Sequence, residues 1–215
     1  MKHFVITIID NDKSHYAADK CVESGKKFGL EIDYYEAFTP HTCFDFISEH
    51  KINTERFNNS QYSREHNAMA AFCSHLSLWM YSLESNEEIT IFEHDAVIME
   101  NIPNIDHNGC ISFGKPSYGK FNTPMALGRN RLVSKPYFPG AHAYRIKPNA
   151  AKIMVETGIT RGAPTDIFLN IETFPWLEEF YPWPVEVKET FTTIQKETGC
   201  QAKHMYNENY VIEEV

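Results

Sequence analysis

His3-Phe4-Val5-Ile6-Thr7-Ile8-Ile9 is the stretch whose reading decides the fold. It alternates little and is dominated by β-branched and aromatic side chains, so both of its faces need cover, as in a strand inside a parallel sheet. Working outward, residues 14–28 are polar with scattered apolar positions and stop at Gly29, which reads as a helix and its end. Residues 31–38 form a second strand, closed by Thr39-Pro40. Strand, helix, strand in that order is the unit of a parallel α/β sheet. It predicts one α/β domain over residues 1–215, with a Rossmann-type, mostly parallel sheet flanked by helices.

Residues 40–62 are mixed and polar around Asn58-Asn59, and read as a long loop. Ser63 is placed to cap a helix running to about Ser85. Ala70, Phe72, Cys73, Leu76, Trp79, Met80 and Leu83 recur there at three- and four-residue steps, a buried helical face. Ile89-Thr90-Ile91-Phe92 and Ile111-Ser112-Phe113 are short strands, and 114–139 is a long loop, a length that marks function in a compact domain. Residues 141–146 return to strand. Pro148 then opens a helix, Pro164-Thr165-Asp166 begins another that Pro175 ends, and Val185-Glu186-Val187 is a last strand.

The 215 residues suffice for a core without disulfide staples. The five cysteines, at 21, 43, 73, 110 and 200, are odd in number and show no Cys-x-x-Cys spacing. That speaks against a disulfide framework and a thiolate zinc site, and a reducing cytoplasm is the simplest home. No stretch is long and apolar enough for a membrane span, and the N-terminus reads as a strand, not a signal peptide. The net charge of −9 argues against non-specific nucleic-acid binding, while leaving room for a local basic groove.

Five groups of residues could carry chemistry. Glu93 and Asp95 stand at the carboxyl end of a strand, where an open parallel sheet binds its ligands. Two carboxylates one residue apart can both reach Mg²⁺ or Mn²⁺, which would hold a diphosphate; the same spacing also serves a solvated acidic turn. His142, in Pro139-Gly140-Ala141-His142, is either a third ligand suited to Mn²⁺ or a structural histidine. Asp166, behind Pro164, either caps a helix or acts as a general base facing an acceptor. Cys73-Ser74-His75 offers a thiol beside an imidazole, but neighbouring helical positions point about 100° apart and no third member is evident, so Cys73 reads as core. Lys115, Lys120, Arg129, Arg131 and Lys135 crowd one irregular segment of an acidic protein. They either meet a diphosphate or charged acceptor or keep the loop soluble.

In order along the chain, several segments resemble glycosyltransferase family 25, whose bacterial members build lipopolysaccharide and whose animal relatives glycosylate collagen. They are the first strand leading into Ser14, Tyr35-Glu36-Ala37-Phe38-Thr39-Pro40, Ala71-Phe72-Cys73-Ser74-His75-Leu76-Ser77-Leu78-Trp79, Ile91-Phe92-Glu93-His94-Asp95-Ala96, Gly140-Ala141-His142-Ala143-Tyr144 with Pro148 and Ala150-Ala151, and Pro164-Thr165-Asp166 with Phe168-Leu169. Thr192-Thr193-Ile194 is a weaker C-terminal echo. The resemblance implies a GT-A-like domain, a UDP-type nucleotide sugar held by Mn²⁺ or Mg²⁺, a hydroxyl acceptor on a glycan or lipopolysaccharide, and inversion at the anomeric carbon. It implies a metal at Glu93, Asp95 and His142, catalysis by Asp95 and Asp166, and a nucleotide sugar against Ser74, His75, Lys115, Arg129 and Arg131. Two departures are visible: His94 stands where the family has an acid, and Ser14-His15-Tyr16-Ala17 where it has paired basic residues. A modified base in viral DNA is the alternative acceptor, and a catalytically silent sugar-binding domain the alternative to an enzyme.

Overall fold

The computed structural model describes residues 1–58, 63–188, 191–196 and 211–215; Cys200 and Asn59 lie outside them. The chain opens with β1 (Lys2–Thr7), α1 (Asp12–Lys26) and β2 (Asp33–Glu36), the strand–helix–strand unit expected. Asn11 caps α1 by accepting the Ser14 amide at 2.9 Å. Helices α2 (Cys43–His50) and α3 (Glu65–Ser85) lead to β3 (Ile89–Glu93) and the short β4 (Ala96–Ile98). Then come β5 (Cys110–Ser112), β6 (Gly128–Arg131), β7 (Ala143–Ile146), α4 (Pro148–Arg161), α5 (Thr165–Phe168), β8 (Glu178–Tyr181), β9 (Val185–Val187), β10 (Phe191–Thr192) and β11 (Val211–Ile212).

The central sheet has seven strands in the order β2-β1-β3-β7-β5-β8-β6. Strands β1, β2 and β3 are mutually parallel; β7 is antiparallel to both β3 and β5, β8 is parallel to β5, and β6 is antiparallel to β8. Five strands therefore run one way and β6 and β7 the other. Alternation along β1 feeds two cores: Phe4 and Ile6 join the cluster of Phe72, Leu76 and Trp79 from α3, while Val5 joins Ala18, Cys21 and Val22 from α1. The chain thus winds from β1 to β2 over one face and returns to β3 over the other. The crevice between β1 and β3 is the point where the winding switches sides. Among the described residues no helix is long and apolar enough to cross a membrane, and the four described cysteines are buried and unpaired with one another.

Several expectations need correction. Residues 40–62 are not one loop, because Cys43–His50 is helical and Lys51 closes that helix in the left-handed region (φ 53°); residues 59–62 lie outside the described residues. Ser63 does not cap α3. The capping position falls on Arg64, whose amide donates to the Ile194 carbonyl at 2.7 Å, while Ser63 bridges to Gln195. The loop 114–139 contains the edge strand β6, and β4 and β8 are further strands that short, mixed sequences did not disclose. Helix α5 ends at Phe168, well before Pro175, because the chain turns there to exchange backbone contacts with the 137–138 segment: Phe138 donates to Leu169 O at 2.9 Å.

Candidate active site

A cavity of about 730 Å³ opens at the carboxyl ends of β1, β2 and β3. Its walls are Ile6 and Ile8 after β1, Phe38 and Pro40 after β2, Glu93, His94 and Asp95 after β3, and Ser74 and His75 of α3. The second half of the chain closes it with Tyr118, Tyr137 and Asp166, and the segment 191–195 covers one side.

A directional hydrogen-bond chain fixes Glu93. Trp79 can only donate, and its Nε1 does so to the Tyr144 hydroxyl at 2.8 Å. That hydroxyl, fully buried, keeps its own hydrogen free to donate to His75 Nδ1 at 2.8 Å. The His75 ring then carries its proton on Nε2, which donates to Glu93 Oε1 at 3.2 Å. Burial holds His75 down at about 3 and keeps it neutral. Burial, helped by the nearby Asp166 charge, pushes Glu93 up to about 8. The pair is therefore a neutral hydrogen bond between imidazole and carboxyl. Glu93 side chain is 26% exposed, and that exposure faces the cavity.

Asp166 reaches the same cavity from the second residue of α5. Pro164 occupies the capping position, so Asp166 is not the N-cap; one carboxylate oxygen accepts the Ile167 amide at 2.9 Å and the other accepts the Tyr118 hydroxyl. Burial raises its pKa, and the Tyr118 and Ile167 donors and the Lys135 charge oppose that rise. Burial and the Asp166 charge hold the Tyr118 phenol well above its ordinary value, so it stays a donor. Lys135 lies 4.7 Å from the Tyr118 ring centre and 5.3 Å from that of Tyr137.

The remaining candidates divide. Ser74 lines the cavity but is spent structurally, accepting the Phe38 amide and donating to Ala70 O, both at 2.9 Å. That bond pins the loop after β2 to α3. Asp95 lies in the turn after β3 and lines the cavity beside Glu93; burial raises the Cys21 thiol of α1, and the Asp95 charge adds to that rise. His142 is buried outside the cavity, packed so tightly that a Cβ on Gly114 would come within 2.5 Å of its Nε2. Burial holds it at about 4. What places it beside β3 is its carbonyl, which accepts the Glu93 amide at 3.0 Å. Lys115 is paired with Glu186 at 2.8 Å. Arg129 and Arg131 sit on β6, at the far edge of the sheet, and Arg129 donates to Asp106 O at 2.9 Å. None of these three lines the cavity.

Glu93 and Asp95 share a wall of the cavity, and His142 does not join them. Among the described residues no group of three or more His, Cys, Asp or Glu side chains is placed to hold a metal ion. Glu93 is moreover engaged by His75 and keeps its proton to about pH 8. The described residues do not make a protein-built metal centre.

Sequence reasoning missed Tyr118, and it placed Tyr144 on a strand without giving it a part in the site. Tyr144 stands two positions beyond His142, and a buried tyrosine on a strand needs a polar partner; that was the signal available for it. Ser14 was placed at the first helix, but its buried hydroxyl turns out to meet His94 Nδ1 at 3.0 Å and accept the Ile8 amide at 2.9 Å. No protein-family model matches the chain, and no curated protein matches it.

Proposed function

We propose that this chain is a glycosyltransferase that moves a sugar from a UDP-type nucleotide donor to a hydroxyl acceptor, with inversion. The observation that carries the reading is the pairing of two unlike carboxyl groups, Glu93 and Asp166, in one cavity at the point where the sheet's winding switches sides. That crevice is where doubly wound sheets bind nucleotides, and about 730 Å³ suits a ligand of that size.

Two titratable groups whose surroundings separate their roles define an acid and a base. Asp166, supported by Tyr118 and the Ile167 amide, is the base that takes the acceptor hydroxyl proton. The acceptor oxygen forms its bond to the anomeric carbon as the bond from that carbon to the leaving phosphate oxygen breaks. The electron pair leaves with the nucleoside diphosphate. Glu93, aimed by His75 and Tyr144 and protonated at neutral pH, donates a hydrogen bond to an oxygen of the bound donor. Phe38 and Ile8 supply apolar wall.

The test is a thermal-shift screen of nucleotide sugars against the purified protein, with and without Mn²⁺, followed by turnover with the best binder. A ligand that binds the native state raises the midpoint. At least one UDP-sugar is expected to do so and to be transferred or hydrolysed. A complete panel showing neither shift nor turnover overturns the reading.

A further inference from the structure

We propose that the loop rising from the cavity rim between residues 114 and 140 is a membrane-contacting finger that seats the protein on an anionic lipid surface. This does not depend on what the cavity binds.

The segment from Gly114 to Gly140 contains five Lys or Arg and no Asp or Glu. Set against a whole-chain charge of −9, the rest of the molecule carries −9 − 5 = −14. An acidic protein has thus gathered cations, without a single acid, into one segment, whose turn ahead of the edge strand β6 is exposed. Lys120 and Arg131 are exposed and make no ion pair among the described residues, in contrast to Lys115 with Glu186 and Arg129 with Glu178.

Apolar side chains stand among these cations. Met125 is 105% exposed and Leu127 78%, and Phe121 and Val133 are exposed at the base of the same turn. The turn that projects them is built. Asn130 Nδ2 donates to Ala126 O and Gly128 O, both at 2.9 Å, and Gly128 sits at φ 88°, where a side chain would be strained. Asn122 ties the two limbs together, its amide donating to Ser134 O at 2.9 Å. Large apolar groups held out in water on a fixed turn call for a partner. The tip projects outward, so a fluid phase that closes round it accommodates it without a matching groove. Flanking cations select an anionic surface, and each Lys or Arg near such a surface strengthens binding by roughly five-fold. The root of the finger, Ser117, Tyr118 and Tyr137, is the rim of the cavity, so a seated protein opens its cavity at the lipid–water interface.

The test is co-sedimentation of the whole protein with vesicles of phosphatidylcholine alone and of phosphatidylcholine mixed with phosphatidylglycerol. Binding is expected to the mixed vesicles, weaker to the neutral ones, and declining as salt is raised. Lys120→Gln/Arg131→Gln should weaken it by roughly 25-fold. Met125→Ser/Leu127→Ser should weaken it at least ten-fold, roughly what losing that much buried apolar chain costs. Melting temperatures should be unchanged in both, since these side chains are exposed. No binding to mixed vesicles at low salt overturns the proposal. So does binding that neither double variant weakens, or a tip that serves only self-association, seen as a concentration-dependent dimer abolished by the Met125/Leu127 variant without vesicle binding.

Discussion

The two halves of the central sheet are built by different rules. In the half made of β2, β1 and β3, the strands are parallel and joined by helices on opposite faces, so all three carboxyl ends collect on one edge. In the half made of β7, β5, β8 and β6, directions alternate and the strands are joined largely by loops. Functional groups of the first half gather without further help: Glu93 and His75 meet because a strand end lies beside α3. Groups of the second half gather only if the chain doubles back. Tyr118 and Asp166 do so and complete the cavity; Arg129 and Arg131 do not and remain at the far edge. The chemistry we propose sits on the seam between the halves, with the first supplying Glu93 and the second Asp166.

The seam breaks most visibly at Asp166. Asp166→Asn keeps the shape and the Ile167 contact but cannot take a proton, so transfer should fall roughly 10²–10⁴-fold. The shift in melting temperature caused by the donor should persist. Near-normal transfer by this variant would return the base role to the first half. Tyr144→Phe probes that half. It leaves the buried Trp79 N–H and His75 Nδ1 without their partner, at a cost of about 2 kcal/mol or more. Differential scanning calorimetry should record a fall of roughly 4–8 °C. A variant that melts like the parent would mean the hydrogen-bond chain does not hold Glu93.

Glu93 itself sharpens the contrast through pH. Its folded pKa of about 8 lies above the ordinary 4.5, so between those values the folded state keeps a proton that the unfolded chain has released. Stability from this group is full below about pH 4.5 and is lost as pH rises through about 8. Glu93→Gln mimics the protonated form and should remove that fall. Its melting temperature relative to the parent should climb across the window by on the order of 10 °C and level off above pH 8. Parallel curves for the two proteins would show an ordinary, solvated carboxylate.

What the sequence disclosed follows the same division. The run at residues 3–9, the helix periodicity around Trp79 and the acid-rich end of β3 are local patterns, and each fell where expected. Spacing placed Glu93 and Asp95 on one wall of the cavity but could not show that the His142 ring packs outside it. His142 contributes its carbonyl to the β3 end in place of its ring. The Tyr118–Asp166 contact joins positions 48 residues apart. It depends on how α4 and α5 return over the first half, which no local pattern encodes. Edge strand β6, with Gly128, Arg129, Asn130 and Arg131, has none of the β-branched character that announces a strand.

The smallest effect is expected at the cations of the second half that the family resemblance sets against the nucleotide. Lys115→Gln and Arg129→Gln, singly and together, should leave the donor-induced shift in melting temperature unchanged. Lys115 spends its charge on Glu186, a pair that lies partly in solvent, and such pairs contribute about 0–1 kcal/mol. Arg129 is separated from β3 by β8, β5 and β7, and at strand spacings of about 4.8 Å that places it well beyond a screening length of about 8 Å. Arg129 cannot reach a phosphate in the cavity, directly or through its field, and the Lys115 charge is already met by Glu186. Lys135 is the instructive control from the same segment. It stacks on Tyr118 and Tyr137 at the rim and its charge reaches Asp166, so Lys135→Gln should alter the pH dependence of transfer, raising the apparent pKa of the base. If Arg129→Gln instead abolished donor binding while Lys135→Gln left the pH profile untouched, the seam would be in the wrong place. The nucleotide would then lie along the far edge of the sheet.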